Sequence, residues 1–266
     1  MIELKADLPQ GALLGSERDR LASVLAGGRA IWLQGRAERF DRDSYGVVTH
    51  WHAVTPVGRM SAVPVTPNEG NTRLRDTARC GMICESKTNC GLVLTDAVEN
   101  AAHWTAAVIY TPGDPMGDTS STAQTLLTVN TATTGHNSSG TYLFVSDQAE
   151  GIVARDTADA LEIVTPAVSV PLGRARMLVL TLSGKDLALA QGIGAPIHIT
   201  GGNPGMACPA DIFIGCRSHR NGLRKTLGQS ILHDVIFWPG QTLLLPRSDS
   251  DMRQLQALRQ YYLWAD

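Results

Sequence analysis

Cleavage of a glycosidic bond needs two carboxyl groups about 5–9.5 Å apart, and the acidic residues of this chain do not spell out such a pair. The nearest candidates, Asp147 with Glu150 and Asp156 with Asp159, fall in or beside turns, and Glu162 stands alone on its strand, so solvated or turn-capping roles are expected of them. No Glu-x-Asp-x-x-Glu run occurs. Asp234 lies among apolar residues, where a carboxylate must be paired or neutralised, so a structural hydrogen bond to loop backbone is expected of it. Ser44, Ser120 and Ser139 sit in loops, outside any G-x-S-x-G elbow. His50 and His52 bracket Trp51 and share one face of a strand, the spacing of a metal pair, but no third ligand follows at readable spacing. The Gly-rich run 201–205 lacks the Lys-Ser/Thr of a phosphate loop and opens no helix. No catalytic residue and no metal ligand is therefore expected.

Binding is better served than catalysis. Tyr45, inside the turn Arg42–Gly46, is the aromatic most exposed by position, while Trp32, Trp51, Trp104, Tyr110, Tyr142 and Trp238 sit mostly in apolar strands and read as core. The polar loops holding Asn137 and Arg217, His219, Arg220 and Asn221 offer donors and acceptors. These six residues, Tyr45 included, form the expected ligand-binding set. No cofactor is expected. Calcium is the one candidate, through loop oxygens of Asp114, Asp118, Asn130, Asn137, Asp147 and Asp156, although their spacing forms no dedicated loop.

The elements that must hold these groups read as strands. The 266 residues can bury a large core, and the formal charge of -2 argues against a nucleic-acid surface. Five cysteines cannot all pair internally and read as reduced structural thiols. The acidic start (Glu3, Asp7) carries no long apolar run, and no segment reaches the roughly 20 apolar residues of a membrane helix. Cytoplasmic synthesis without a signal peptide is the expectation.

Along the chain, residues 1–27 form a docking segment whose helix, 16–25, is capped by Ser16 and stopped by Gly27-Gly28. Residues 28–266 form the main domain. Short apolar strands with tryptophans at 30–33 and 47–51 come first, and 52–79 reads as a long surface loop. Short strands separated by Gly- and Pro-rich turns then recur from 91 to 200, including a hairpin over 176–190. Ile212–Ile214 and Ile231–Trp238 read as a neighbouring strand pair around an exposed loop, the second strand apolar on both faces except at His233 and Asp234. A helix over 252–264 closes the chain.

This late pair, with Gly215 and Gly228, resembles the final strands of the concanavalin A-like, laminin-G-like superfamily. The opening Ala30–Leu33 and Val47–Trp51 is similar to sandwich proteins of tailed phages and phage-derived particles, although Gln34 replaces an expected Asp. The resemblance implies an all-β jelly-roll sandwich of two antiparallel sheets with a short helix at either end. It further implies a non-catalytic fibre or spike component of a virion-like particle, paired with itself or with sister subunits and contacting cell-surface polysaccharide. A free bacterial glycan-binding module and a polysaccharide-cleaving enzyme are the alternatives.

Overall fold

The computed structural model describes residues 17–27, 29–55, 58–66, 72–75, 80–84, 90–113, 123–132, 141–148, 151–171, 173–219 and 230–264. The strands in chain order are β1 (Ile31–Leu33), β2 (Phe40–Arg42), β3 (Val48–Val54), β4 (Ser61–Pro64), β5 (Thr72–Arg75) and β6 (Gly81–Cys84). Then come β7 (Leu92–Val98), β8 (His103–Thr111), β9 (Ala123–Asn130), β10 (Tyr142–Gln148), β11 (Gly151–Asp156) and β12 (Glu162–Thr165). The last are β13 (Arg176–Ser183), β14 (Asp186–Gln191), β15 (Ile197–Thr200), β16 (Ala210–Ile214) and β17 (Ile231–Pro239), with helices α1 (Glu17–Leu25) and α2 (Asp249–Trp264) at the two ends. None of the described helices is long and apolar enough to cross a membrane.

Hydrogen bonding runs without a break along β15–β14–β13–β8–β17–β1–β3–β4–β7–β16–β9–β10–β11–β12, antiparallel at every step. The expected two-sheet jelly roll is thus corrected to one nearly closed, 14-strand antiparallel barrel. The reason lies in β1, β3 and β4, which hydrogen-bond from one side of the roll to the other where a sandwich would show a sheet edge. A second correction concerns the late pair. β16 joins β7 and β9 while β17 joins β1, β6 and β8, so the two are not ladder neighbours. A third is the 52–79 loop, which contains β4 and β5. Their four-residue length and single fully buried residue each leave little apolar signal to read.

β17 shows why the sheet curls. A bulge between Leu232 and Asp234 shifts its alternation by one residue, so Leu232, Val235 and Phe237 all face the main core inside the roll. Ile236 and Trp238 face outward into a second core made with Leu21 and Leu25 of α1 and Leu258 and Tyr261 of α2. The hairpin over 176–190 divides likewise: Leu178, Leu180 and Leu182 point in, Met177 and Val179 out. Gly184, at φ 65°, supplies the left-handed residue of its tight turn. Each large side chain buried this way is worth roughly 1.5–3 kcal/mol, and with both faces covered the sheet has every reason to wrap. The start of α2 is fixed by a capping box, in which Asp251 N–H donates to Ser248 Oγ (3.2 Å) and Ser248 N–H to Asp251 Oδ2 (3.1 Å). The polar 249–251 stretch is therefore its first turn, and the helix begins three residues before the expected 252.

The seam between the outermost strands is held by side ties. Gly202 N–H donates to the Ala160 carbonyl (3.0 Å), and the Gln191 amide both donates to the Pro166 carbonyl (2.8 Å) and accepts from Val168 N–H (2.8 Å). A Cβ at Gly201 would run into the Ala160 carbonyl oxygen. Gly201→Ala should therefore pry the seam apart and cost about 1–3 kcal/mol, read as a lower denaturation midpoint in urea at unchanged slope. An unchanged midpoint would show that the seam is not a tight contact.

Candidate functional site

Two groupings of chemically capable side chains stand out among the described residues, one on the surface and one inside the roll. The surface group lies on the β2–β3 hairpin. Phe40 and Trp51 stack across the pair on its inner side, with ring centroids 4.7 Å apart, and this turns Asp41, His50 and His52 outward. His52 Nε2 is 2.9 Å from Asp41 Oδ2, and His50 Nδ1 is 3.7 Å from the same oxygen. The other ring nitrogen of His52 lies 2.8 Å from Ser61 Oγ on β4. At the hairpin tip, Asp43 Oδ1 accepts from Tyr45 N–H (2.8 Å) and Val47 N–H (2.9 Å), and Gly46 takes φ 78°. That bonded turn presents Tyr45 at 83% exposure, the most exposed large apolar side chain among those described. A phenol face held clear of the surface by a rigid turn, with carboxylate and imidazole on the same hairpin, suits a flat polar ligand.

The inner group joins opposite sides of the roll. Asp147 Oδ2 on β10 accepts from Tyr110 Oη on β8 (2.7 Å) and from Arg176 Nη1 at the start of β13 (2.6 Å). The Asp147 and Arg176 side chains are 13% and 10% exposed. Burial pushes the Asp147 carboxyl above the usual carboxylate range against the opposing pull of Tyr110 and Arg176. Burial, with the Asp147 charge beside it, also pushes the Tyr110 phenol well up. Tyr110 therefore stays protonated and serves as a donor rather than as an activated nucleophile. A carboxyl that holds its proton longer than usual can act as a general acid, but only one carboxyl takes part in this cluster, where glycoside hydrolysis by the common route asks for two.

The remaining expected residues fare unevenly. Arg217 is not an exposed loop donor. Its guanidinium lies 3.7 Å over the Phe144 ring, its Nε donates to Thr125 Oγ1 (3.2 Å), and burial lowers its pKa. His219 stands edge-on to Phe213, and its Nδ1 accepts from Thr66 N–H (2.9 Å), tying two loops together. Tyr45 and the Arg217–His219 stretch belong to different parts of the roll, on the β2–β3 hairpin and after β16. Asn137, Arg220 and Asn221 lie outside the described residues. Asp234 accepts from Trp32 Nε1 (3.1 Å) and Gly35 N–H (3.4 Å), so an indole shares it with the loop backbone. Asp156 caps its turn through Ala160 and Leu161 N–H, both at 3.0 Å. Asp147 does neither, and the expected solvated or turn-capping role is corrected to a buried ion pair. Its partners lie 37 and 29 residues away in sequence, and no local pattern announces them. None of Cys80, Cys84, Cys90, Cys208 and Cys216 is in a disulfide.

No protein-family model matches this chain, and no curated protein does. Among solved structures, it is similar to a mutant of Trypanosoma rangeli sialidase displaying trans-sialidase activity, with TM-score 0.54 and 13% identity over 92% of this chain and 37% of that one. It is similar to Trypanosoma rangeli sialidase in complex with sialic acid, with TM-score 0.54 and 13% identity over 90% of this chain and 36% of that one. An arabinofuranosidase complexed with arabinofuranosyl-alpha-1,2-xylobiose matches with TM-score 0.50 and 11% identity over 81% of this chain and 51% of that one. The chain thus spans little more than a third of the sialidases' length, and at these identities the likeness is one of fold. The matched structures are sialidases and an arabinofuranosidase, so the expected kinship with concanavalin A-like fibre and spike proteins of phage-like particles is corrected to a likeness of fold with these. The reading as a non-catalytic, non-enzymatic virion component falls with it.

The inner ion pair carries a test of its own. Arg176→Met leaves the Asp147 carboxylate uncompensated and should cost about 3 kcal/mol at pH 7. Because the folded state already holds the Asp147 proton more tightly than the unfolded chain does, stability falls as pH rises through the window between the two carboxyl pKa values. The deficit of the variant should accordingly shrink on acidification through that window, as seen in urea titrations at pH 4 and pH 7. A deficit independent of pH would mean that Arg176 acts by packing alone.

Proposed function

We propose that this chain is a carbohydrate-active unit of the kind carried by glycoside hydrolases, engaging a glycan at the β2–β3 hairpin. The observation that carries this reading is the fold, shared over 92% of this chain with a sialidase and over 81% with an arabinofuranosidase. The hairpin adds physical plausibility. Sugar rings present flat C–H faces that stack on an exposed aromatic and hydroxyls that bond to carboxylate and imidazole, and Tyr45, Asp41, His50 and His52 provide these together. A second reading, glycosidic cleavage, is favoured by the raised Asp147 carboxyl beside Tyr110 and Arg176. In that reading the Asp147 carboxyl gives its proton to the departing oxygen and regains one from the water that adds to the anomeric carbon, while Arg176 and Tyr110 hold the carboxyl in place.

Calorimetry with sialyl and arabinosyl oligosaccharides, run beside release of 4-methylumbelliferone from the matching glycosides, separates the two. Binding by the native chain that weakens at least about tenfold (~1.4 kcal/mol) in Tyr45→Ala supports engagement at the hairpin. Turnover lost in Asp147→Asn while binding persists would add the second reading. Absence of binding to any sugar at millimolar concentration, or equal binding by Tyr45→Ala, would contradict the hairpin assignment.

A further inference from the structure

We infer that Cys84 and Cys90 are a disulfide-forming pair, joined when the chain folds in the presence of a low-molecular-weight disulfide and parted by a thiol reductant. The pairing follows from where the strands place the two residues. Cys84 ends β6, directly across the β5–β6 ladder from Thr72. Gly91, next to Cys90, donates its N–H to Thr72 Oγ1 (3.4 Å), and its carbonyl accepts from Val65 N–H (3.1 Å). Thr72 therefore fixes both ends of the segment 84–91. The Cys84 and Cys90 thiols meet there in a hydrogen bond, both buried in the main core. An S–S bond of about 2.05 Å asks these two sulfurs to approach further along the line on which they already meet.

Cys216 is the competing partner, since a Cβ on Gly91 would come within 2.5 Å of its Sγ. It belongs to the other face of the sheet. Cys216 packs with Val65, Val93 and Phe213, whereas Cys90 lies with Leu92 and Leu94 in the same core as Cys84. Cys80 precedes β6 at its far end, where its carbonyl meets His233 Nδ1 (2.9 Å). Only the 84–90 pair shares both a face and a contact.

The hydrogen-bonded Cys90 thiol and burial together push the Cys84 thiol well up in the folded chain, and a thiol that holds its proton is a poor nucleophile. The bond accordingly forms while the chain is still open. One cysteine thiolate attacks oxidised glutathione, giving a mixed disulfide and releasing one glutathione thiolate. The second cysteine thiolate attacks the protein-side sulfur and releases the other. The two protons lost by the protein end on the two glutathione thiolates, and the two electrons lost by the cysteines reduce the glutathione disulfide. The product ties β6, laddered to β5 and β17, to the start of β7, laddered to β4 and β16. It forms whether or not a glycan engages the hairpin.

The test is refolding of the full chain from urea at defined ratios of oxidised to reduced glutathione, with iodoacetamide capture of the remaining thiols and tryptic mass mapping. Trypsin cuts after Lys87 and so puts Cys84 and Cys90 on separate peptides. The expected result is a pair of peptides joined through Cys84 and Cys90, assigned by fragmentation, in most chains under oxidising buffer and absent after dithiothreitol. Cys216→Ser should leave the link in place, and Cys90→Ser should abolish it. The same mapping after prolonged incubation of the native chain reads the link without refolding, and there it should form at least about tenfold more slowly. Recovery of Cys84 and Cys90 both alkylated at every ratio would overturn the inference. So would a link that runs chiefly to Cys216, Cys80 or Cys208, or between chains.

Discussion

The structure depends on a single strand being apolar on both faces. β17 must bury Leu232, Val235 and Phe237 on one side and Ile236 and Trp238 on the other, and no open, one-faced sheet can do both. The solution is a sheet that rolls around one core and is clad on part of its outside by α1, α2 and the 242–245 turn. Strand pairs on either side of β17 inherit the same demand. The inner and outer residues of β13 and β8 sort into the same two cores, and the roll propagates until β15 and β12 approach at the glycine-lined seam.

Enclosure on this scale leaves polar groups that have no water to meet, and the chain answers several of them with a partner from far along the sequence. The Trp32 indole and the Gly35 amide share Asp234. The bulge residue His233 spans from the Cys80 carbonyl (2.9 Å) to Thr111 Oγ1 (2.8 Å). Arg176 pairs with Asp147, and Tyr110 donates to it, across the interior. Unpaired, any of these would cost more than an average hydrogen bond returns, so they specify register as much as they stabilise. On the solvent side of the β2–β3 hairpin that constraint relaxes: Tyr45 is 83% exposed, and Asp41, His50 and His52 are partly exposed.

The strands from 91 onward were readable because each is a short run with alternating or doubly apolar character between turn residues, and the structure places β7 to β17 within a few residues of those runs. β4, β5 and β6 were not, because a four-residue strand with one or two buried side chains leaves little period to detect. The closure of the sheet was illegible for a different reason: whether β1, β3 and β4 bridge two layers or terminate one depends on pairing partners that local pattern does not encode. Tyr45 could be placed on the surface from its turn alone. Arg217 could not be placed inside, since its burial depends on Phe144 and Thr125, reached only through the fold. Asp41 illustrates the same limit from the useful side. It meets His50 and His52 only through β-pairing, a contact that the sequence spacing does not encode.

The roll is similar to parts of the sialidase and arabinofuranosidase structures, and its β2–β3 hairpin holds Tyr45 exposed, with Asp41, His50 and His52 on the same pair of strands. The most direct measurement is amide and imidazole chemical-shift mapping of the chain during titration with sialyl and arabinosyl oligosaccharides. The account predicts saturable shifts confined to residues 40–52 and the neighbouring Ser61. Shifts centred elsewhere on the roll, or none at saturating sugar, would contradict it.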